Sequence, residues 1–402
     1  MQLKLGKDIK TGKEVYLDAS GTRAVLVCGK RGSGKSYTLG VILEELIAVG
    51  GREVVPIVID PMGIYHTMTL RNDQQSAELY KWGLVAQGFS ARLLIPGQAD
   101  ELYAEDILSE LKRRGVEIVS LRLNASDLSP DGWCDLFDVN INQPMGIALF
   151  RCVQSLSEEI GEFTVHDLLR KVEHDERAND VSKEALLNRL EAVLRWKLFN
   201  DTDYIPLDRI FEPGGLNIVD LSRLESGAFS RRNLIVSVIA RNLFRARSDA
   251  RLREEFGLSR SLPRVWMAID EAHQFIPENG RSLAKAQLIR WAKEGRQPGL
   301  SFVVATQQPS AIDSEVLSQC DIILSHKLTS RDDIMALNRL SQDYMGGELR
   351  GFITNLDRTG QAILVDDERE SLSMMQIRPR QSQHGGGSKA AQSTDDYDIW
   401  GN

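Results

Sequence analysis

Gly29-Lys30-Arg31-Gly32-Ser33-Gly34-Lys35-Ser36 places glycines, a lysine and a hydroxyl at the spacing G-x-x-x-x-G-K-[ST], a set of residue types suited to gripping a polyphosphate. Glycines let the backbone curl until successive N–H groups point inward, and a helix starting just beyond them adds the positive end of its dipole. In this reading Gly29, Gly32, Ser33 and Gly34 form the cradle, Lys35 reaches the β- and γ-phosphates, the Ser36 hydroxyl ligates Mg²⁺, and Tyr37 follows on the same turn as a further nucleotide contact. The implied ligand is ATP with its magnesium ion.

A second set of residues complements the first. Val265-Trp266-Met267-Ala268-Ile269-Asp270-Glu271 is an apolar run ending in two carboxylates. Asp270 would hold Mg²⁺ through its water shell, and Glu271 would polarise an attacking water as the general base or its orienting group. Asp270-Glu271-Ala272-His273 spells the signature of DEAH-box helicases. Those enzymes, however, carry a shorter G-x-G-K-[ST] core and a downstream Ser-Ala-Thr motif that this chain lacks. A Leu-Ser-Gly-Gly-Gln-like segment, needed for an ABC ATPase, is also missing.

Positioning these groups requires a particular scaffold. Ala24-Val25-Leu26-Val27-Cys28 is a continuous apolar run of the kind buried on both faces of a parallel sheet, and it leads straight into the glycine loop. Leu39, Ile42, Leu43, Leu46 and Ile47 recur at helical spacing over 36–49, and Gly50-Gly51 supplies the stop. Residues 54–60 form the next apolar run, so the opening reads strand, loop, helix, strand. Three further strands are expected at 216–221, 265–270 and 302–306, with helices at 232–246 and 283–294 between them and more strands at 322–327 and 361–365. The predicted fold is therefore an α/β, RecA-like P-loop NTPase core with a mainly parallel sheet and a helical insertion. Its expected divisions are a short β-hairpin at 1–19, the first part of the core at 20–76, a mostly helical insertion at 77–210, the second part of the core at 211–380, and a flexible tail at 381–402. Within the insertion, helices are expected at 103–114, 163–172 and 183–199.

Other motifs point to a family. The stretch 291–310 contains Gly295-Arg296 followed by an apolar strand and Thr306-Gln307-Gln308-Pro309. It resembles the HerA/FtsK family of ring-forming DNA translocases, in which a Gly-Arg pair precedes a strand ending in Thr-Gln-x-Pro. Asp60-Pro61-Met62-Gly63-Ile64-Tyr65 is similar to that family's Asp-Pro-x-Gly-Glu-Tyr motif, with Ile64 in place of the acid, and Val316-Leu317-Ser318-Gln319-Cys320-Asp321 resembles the segment that follows. The HerA branch is the nearest match, over most of residues 20–375.

Carried onto these positions, the resemblance makes Gln307 a polar sensor of the γ-phosphate or the attacking water. It makes Arg296 a finger inserted into the neighbouring subunit's site, and Arg23 a nucleotide contact within the same subunit. It further implies a homo-oligomer, expected to be a hexamer, that drives double-stranded DNA through its pore. Family members commonly carry a β-barrel before the P-loop, whereas about twenty residues precede Ala24 here. A shortened motor of this type resembles those paired with a nuclease or an NAD-consuming effector in antiviral defence. Two rivals keep the ATPase chemistry: a conjugation or secretion motor, and an ATP-controlled scaffold that activates an effector enzyme.

Composition sets outer bounds. With 402 residues, 42% of them hydrophobic and 26% charged, the chain can bury a large core and lies within the range of globular proteins. Cys28, Cys134, Cys152 and Cys320 form no C-x-x-C pair, so neither a disulfide framework nor a zinc site is expected. No apolar run is long enough to span a bilayer and the first residues lack a signal-peptide pattern, so the expectation is a cytoplasmic protein without a membrane partner. A net charge of −8 confines any DNA-binding surface to a local basic stripe. Arg223, Arg231, Arg232, Arg241, Arg245, Arg247, Arg251, Arg253 and Arg264, followed by Arg281 and Lys285, are the candidates for phosphate contacts in a channel.

Overall fold

The computed structural model describes residues 1–199, 205–227, 230–258, 262–340 and 348–386. Its strands are β1 (Gln2–Asp8), β2 (Glu14–Asp18), β3 (Ala24–Cys28), β4 (Val54–Asp60), β5 (Ala91–Pro96), β6 (Val116–Leu121), β7 (Leu216–Asp220), β8 (Arg264–Ile269), β9 (Leu300–Thr306), β10 (Ile322–Ser325), β11 (Gln361–Asp366) and β12 (Ser371–Ile377). Among the described residues they form one 12-stranded sheet in the order β2-β1-β12-β11-β10-β3-β9-β8-β4-β7-β5-β6. From β10 to β6 every pairing is parallel, and β11, β12, β1 and β2 continue the sheet in antiparallel fashion.

The apolar runs are buried on both faces because the sheet lies between two packed layers. Strand β3 divides its side chains between them, Leu26 and Cys28 into one layer and Val25 and Val27 into the other, as the alternation of a strand requires. The helix Lys35–Gly50 packs Leu39, Ile42, Leu43 and Leu46 into the second layer, and each such side chain removed from water contributes roughly 2 kcal/mol. The first layer holds Trp133, Leu149, Val153, Leu168 and Leu186 from the helices between 130 and 194, together with Ile235, Ile239 and Leu243 of the helix Arg231–Glu255. All four cysteines are free and buried, and no helix among the described residues is long and apolar enough to cross a membrane.

Two divisions expected from the sequence are corrected. Residues 77–210 are not set apart from the core, because β5 and β6 extend its parallel sheet beyond β7 and the helices that follow share its apolar layer. At 1–19, β1 and β2 pair antiparallel as a hairpin, and β1 joins it to the sheet through β12. The stretch 381–386, read as the start of a flexible tail, is packed: Ser382 is fully buried and Gln381 nearly so. The remainder of that tail, 387–402, lies outside the described residues.

Candidate functional site

The site forms where the parallel strands end, which is where open α/β sheets present their ligand-binding crevices. Strand β3 delivers the glycine loop, β8 delivers Asp270 and Glu271, and β9, hydrogen-bonded between them, delivers Gln307. The sheet order therefore sets the phosphate loop and the acidic pair two strands apart with an amide in the gap.

The loop is built on close approach. A Cβ on Gly29 would lie 2.4 Å from Ser33 Oγ and 2.6 Å from His326 Cβ, so only glycine fits. Gly34 enters the helix with φ 111°, which an L side chain rarely adopts. Beneath the loop, His326 Nε2 bonds the Thr38 hydroxyl at 2.8 Å while Nδ1 lies 2.8 Å from the Gln361 carbonyl. Since a carbonyl only accepts, Nδ1 carries the proton and donates, and Nε2 accepts from Thr38. Burial pushes this imidazole down to about 4, so it is neutral at physiological pH and adds no charge below the phosphate cradle. Nothing local in the sequence singles out His326, which lies 288 residues from its partner Thr38.

Lys35, Asp270, Glu271 and Gln307 meet at the loop. Lys35 Nζ donates to Glu271 Oε1 at 3.2 Å and lies 3.9 Å from Asp270 Oδ1. Gln307 Nε2 donates to the same Glu271 oxygen at 2.8 Å. His273 Nδ1 sits 3.5 Å from Glu271 Oε2. Glu271 itself has φ 49°, a left-handed conformation that costs a non-glycine residue about 1 kcal/mol or more and recurs at functional sites. The Glu271 backbone N–H donates to Asp270 Oδ1 at 2.9 Å.

The Asp60-Pro61-Met62-Gly63-Ile64-Tyr65 segment supports these acids from the side. Asp60 closes β4 and accepts from the backbone N–H groups of Met62, Gly63 and Tyr65. Burial pushes its carboxyl up to about 7, with the Asp220 and Asp270 carboxylates opposing its ionisation as well. The Tyr65 hydroxyl donates to Asp270 Oδ2 at 3.0 Å, so both Asp270 oxygens are held. Ile64, in the place of an acid, lines the cavity in front.

That cavity has a volume of about 650 Å³ and runs from Lys30, Gly32, Lys35 and Ser36 past Glu271 and Gln307 to Tyr37, Trp82 and the segment 376–386. The residues present fit a magnesium ion. A serine hydroxyl and a carboxylate are hard oxygen donors, and such a site completes its shell with phosphate oxygens and water. Ser36 lines the cavity, while Asp270, 1% exposed, lies behind Glu271 at a depth suited to acting through a water. With a polyphosphate seated against Lys35, the arrangement can neutralise phosphoryl charge and hold a water against Glu271.

Two arginines lie elsewhere. Arg23 precedes β3 at the end opposite the loop, about 16 Å away along five residues of strand. It donates to the Asp18 carbonyl, to Asp321 and to Glu368. The expected contact with a nucleotide in the same subunit is therefore corrected: its guanidinium is engaged at the wrong edge of the sheet. Arg296 is exposed on the turn before β9, in a cleft with Arg247, Arg251 and Arg264. The seven residues of β9 separate it from Gln307 by roughly 23 Å, so it stands away from this chain's own Lys35, Glu271 and Gln307.

Several candidate DNA contacts are already engaged. Arg231 pairs with Glu225, Arg232 donates to the carbonyls of Leu224 and Ser222, and Arg247 and Arg251 pair with Glu254. Lys285 binds the Pro277 carbonyl and the Asp313 carboxylate, which removes it from that set. Arg245, Arg253 and Arg281 are exposed.

The family model described as the central domain of helicase HerA matches residues 3–243. A probable helicase of Methanocaldococcus jannaschii is 26% identical over 363 residues, covering 85% of this chain and 61% of the relative. The DNA double-strand break repair helicase HerA of Sulfolobus acidocaldarius is 24% identical over 369 residues, covering 90% of this chain and 66% of the relative. The chain thus spans less than two-thirds of the length of these relatives. Among solved structures, VirB4 of Thermoanaerobacter pseudethanolicus superposes with a TM-score of 0.56 at 16% identity, covering 93% of this chain and 96% of its own. The bacterial conjugative coupling protein TrwB, lacking its N-terminal segment, gives 0.54 at 14% identity, with 93% and 88% covered. At these identities the two structures establish the shared fold.

Proposed function

The chain belongs to the HerA helicase central-domain family, and from that premise we propose that it is an ATP-hydrolysing motor subunit acting on double-stranded DNA. The observation that carries the proposal is the convergence of Lys35 and Gln307 on one oxygen of Glu271 at the mouth of the glycine loop. Gly29, Gly32, Ser33 and Gly34 form the phosphate cradle. Lys35 contacts the terminal phosphates. Ser36 and Asp270 hold Mg²⁺, which neutralises phosphoryl charge when bound.

Glu271 orients and deprotonates the attacking water, and Gln307 reports whether a γ-phosphate is present. Lys35 Nζ lies against both carboxylates, within reach of the loop that would hold the terminal phosphates. Supply of Arg296 from a neighbouring copy makes hydrolysis depend on assembly, which is the basis for proposing a homohexamer with ATP at each subunit boundary. Work alongside a nuclease or other effector, in DNA processing or phage defence, is part of the same proposal by analogy with the family.

The test is ATP turnover with and without duplex DNA. Duplex DNA should accelerate phosphate release severalfold, and Lys35→Ala should abolish it. Arg296→Ala should lose hydrolysis but keep ATP binding, and mixing it with Lys35→Ala subunits should restore partial turnover at mixed boundaries. Failure of the purified protein to bind ATP would sink the reading, and acceleration by a partner protein but not by DNA would favour an effector-activating scaffold.

A further inference from the structure

The cleft beside Arg296 encloses a second cavity, of about 320 Å³, between the turn that precedes β9 and the C-terminal half of the helix Arg231–Glu255. Strand β8 runs from Arg264, on its wall, to the strand end that carries Asp270, about 20 Å away. The two cavities share no lining residue. Arg247, Arg251, Arg264 and Arg296 line the second one, with Glu53 and Glu254 as its acidic members. Four guanidinium groups against two carboxylates leave the wall with a surplus of positive charge.

Arg247 is the member that lacks partners. Its side chain is 2% exposed, and Nη2 donates to Glu254 Oε2 at 3.1 Å. Nε and Nη1, which carry three of the five guanidinium N–H groups, have no hydrogen-bond acceptor among the described residues. Desolvated donors without acceptors are costly, and native proteins leave few of them. Glu254 cannot supply the missing oxygens, because Arg251 Nη1 draws on the same carboxylate at 3.4 Å.

The neighbouring arginine is also short of charge compensation. Arg264 Nη1 donates to the Ser20 carbonyl at 2.6 Å, a neutral acceptor. Between Arg247 and Arg264 lies Gly299, with φ 86°. A Cβ there would stand 3.3 Å from Arg247 Nη2 and 3.2 Å from Arg264 Cγ, so the bare backbone keeps space open against both side chains. We propose that this cavity is an oxyanion site that takes a phosphate or diphosphate from solution on the Arg247 fork, with Arg264 beside it. Planar guanidinium groups match phosphate oxygens two at a time, and an anion of that class supplies both the acceptors and the charge that Arg247 lacks. The inference goes beyond the nucleotide reading, since the anion rests on Arg247 and Arg264 and touches nothing in the glycine loop.

The experiment is calorimetric titration of pyrophosphate into the full chain carrying Lys35→Ala, which disables the phosphate loop. Binding should persist in that background, and adding Arg264→Gln or Arg247→Lys should weaken it by about ten-fold or more. Arg253→Ala removes an exposed charge of the same helix outside the cavity and should change affinity by less than about two-fold. A thermal melt of each variant checks folding. No binding in the Lys35→Ala protein, or undiminished binding in both folded cavity variants, would overturn the site. Equal weakening by Arg253→Ala and Arg264→Gln would overturn it too, by reducing it to diffuse attraction. A wild type that binds no ATP, beside a Lys35→Ala protein that binds pyrophosphate through Arg264, would reject the nucleotide reading and uphold this cavity.

Discussion

Gln307 and Glu271, 36 residues apart in sequence and on adjacent strands, are joined by an amide-to-carboxylate hydrogen bond of 2.8 Å. The same carboxylate oxygen takes the Lys35 ammonium, so the amide and the ammonium share one oxygen's lone pairs. Glu271→Gln should therefore lower kcat by about 100-fold or more while ATP still binds, since only the charge that develops against the water is lost. Gln307→Ala should lower kcat with little change in Kd. A rise in Kd at unchanged kcat would reduce Gln307 to a binding contact.

Tyr65 holds Asp270 from behind. In Tyr65→Phe the carboxylate loses its only side-chain donor among the described hydrogen bonds, with an expected stability loss of about 1–2 kcal/mol. The sharper readout is magnesium dependence. The Mg²⁺ concentration for half-maximal turnover should rise severalfold, with the KM for ATP at saturating Mg²⁺ nearly constant. An unchanged Mg²⁺ titration would limit Tyr65 to packing.

His326 links the phosphate loop to acid sensitivity. Its folded pKa, about 4, lies below the ordinary value of 6.5, so between these values the unfolded chain binds more protons than the folded one. Stability from this group is complete above pH 6.5 and is lost as pH falls toward 4, with a limit on the order of 3 kcal/mol. Urea denaturation at pH 7 and pH 4.5 should show a larger drop for the wild type than for His326→Asn. Equal drops would mean that carboxylates elsewhere carry the acid response.

Glu44 pairs with Arg378 and faces Arg380, all three buried. Glu44→Ala leaves the buried Arg380 guanidinium without its carboxylate and Arg378 with Glu45 alone, and should cost about 3–5 kcal/mol. Gly40→Ala should cost about 1–3 kcal/mol by driving a methyl into the Arg380 guanidinium. Chemical denaturation measures both, and a near-neutral Gly40→Ala would show that the arginine can step aside.

The chemistry legible in the sequence is the chemistry that stays contiguous. Strand, glycine loop and helix follow one another from Ala24 to Gly50, so residue types and spacing alone located the cradle and Lys35. The run ending in Asp270-Glu271 was legible for the same reason, because an apolar strand followed by acids is a local pattern. Strands β5, β6 and β12 were not. β6 is only partly buried between its ends, β12 mixes serines with apolar residues, and the region around β5 and β6 is dense in charged helix formers, so no clean period of two emerged.

Sheet order lay beyond the sequence, because hydrogen bonds between strands far apart in the chain decide it. That order puts β9 between β3 and β8 and so brings Gln307 onto Glu271. It also fixes which end of a strand a residue occupies, which is why Arg23, close to the loop in sequence, stands at the far edge from it. The sequence by itself determined the glycine cradle, the acidic pair and the α/β class, since each is written in neighbouring residues. Only the tertiary structure decided the partners of Glu271, the support of Asp270 by Tyr65 and the packing of 381–386 over the first helix, because long-range burial selects those contacts and no local spacing encodes them.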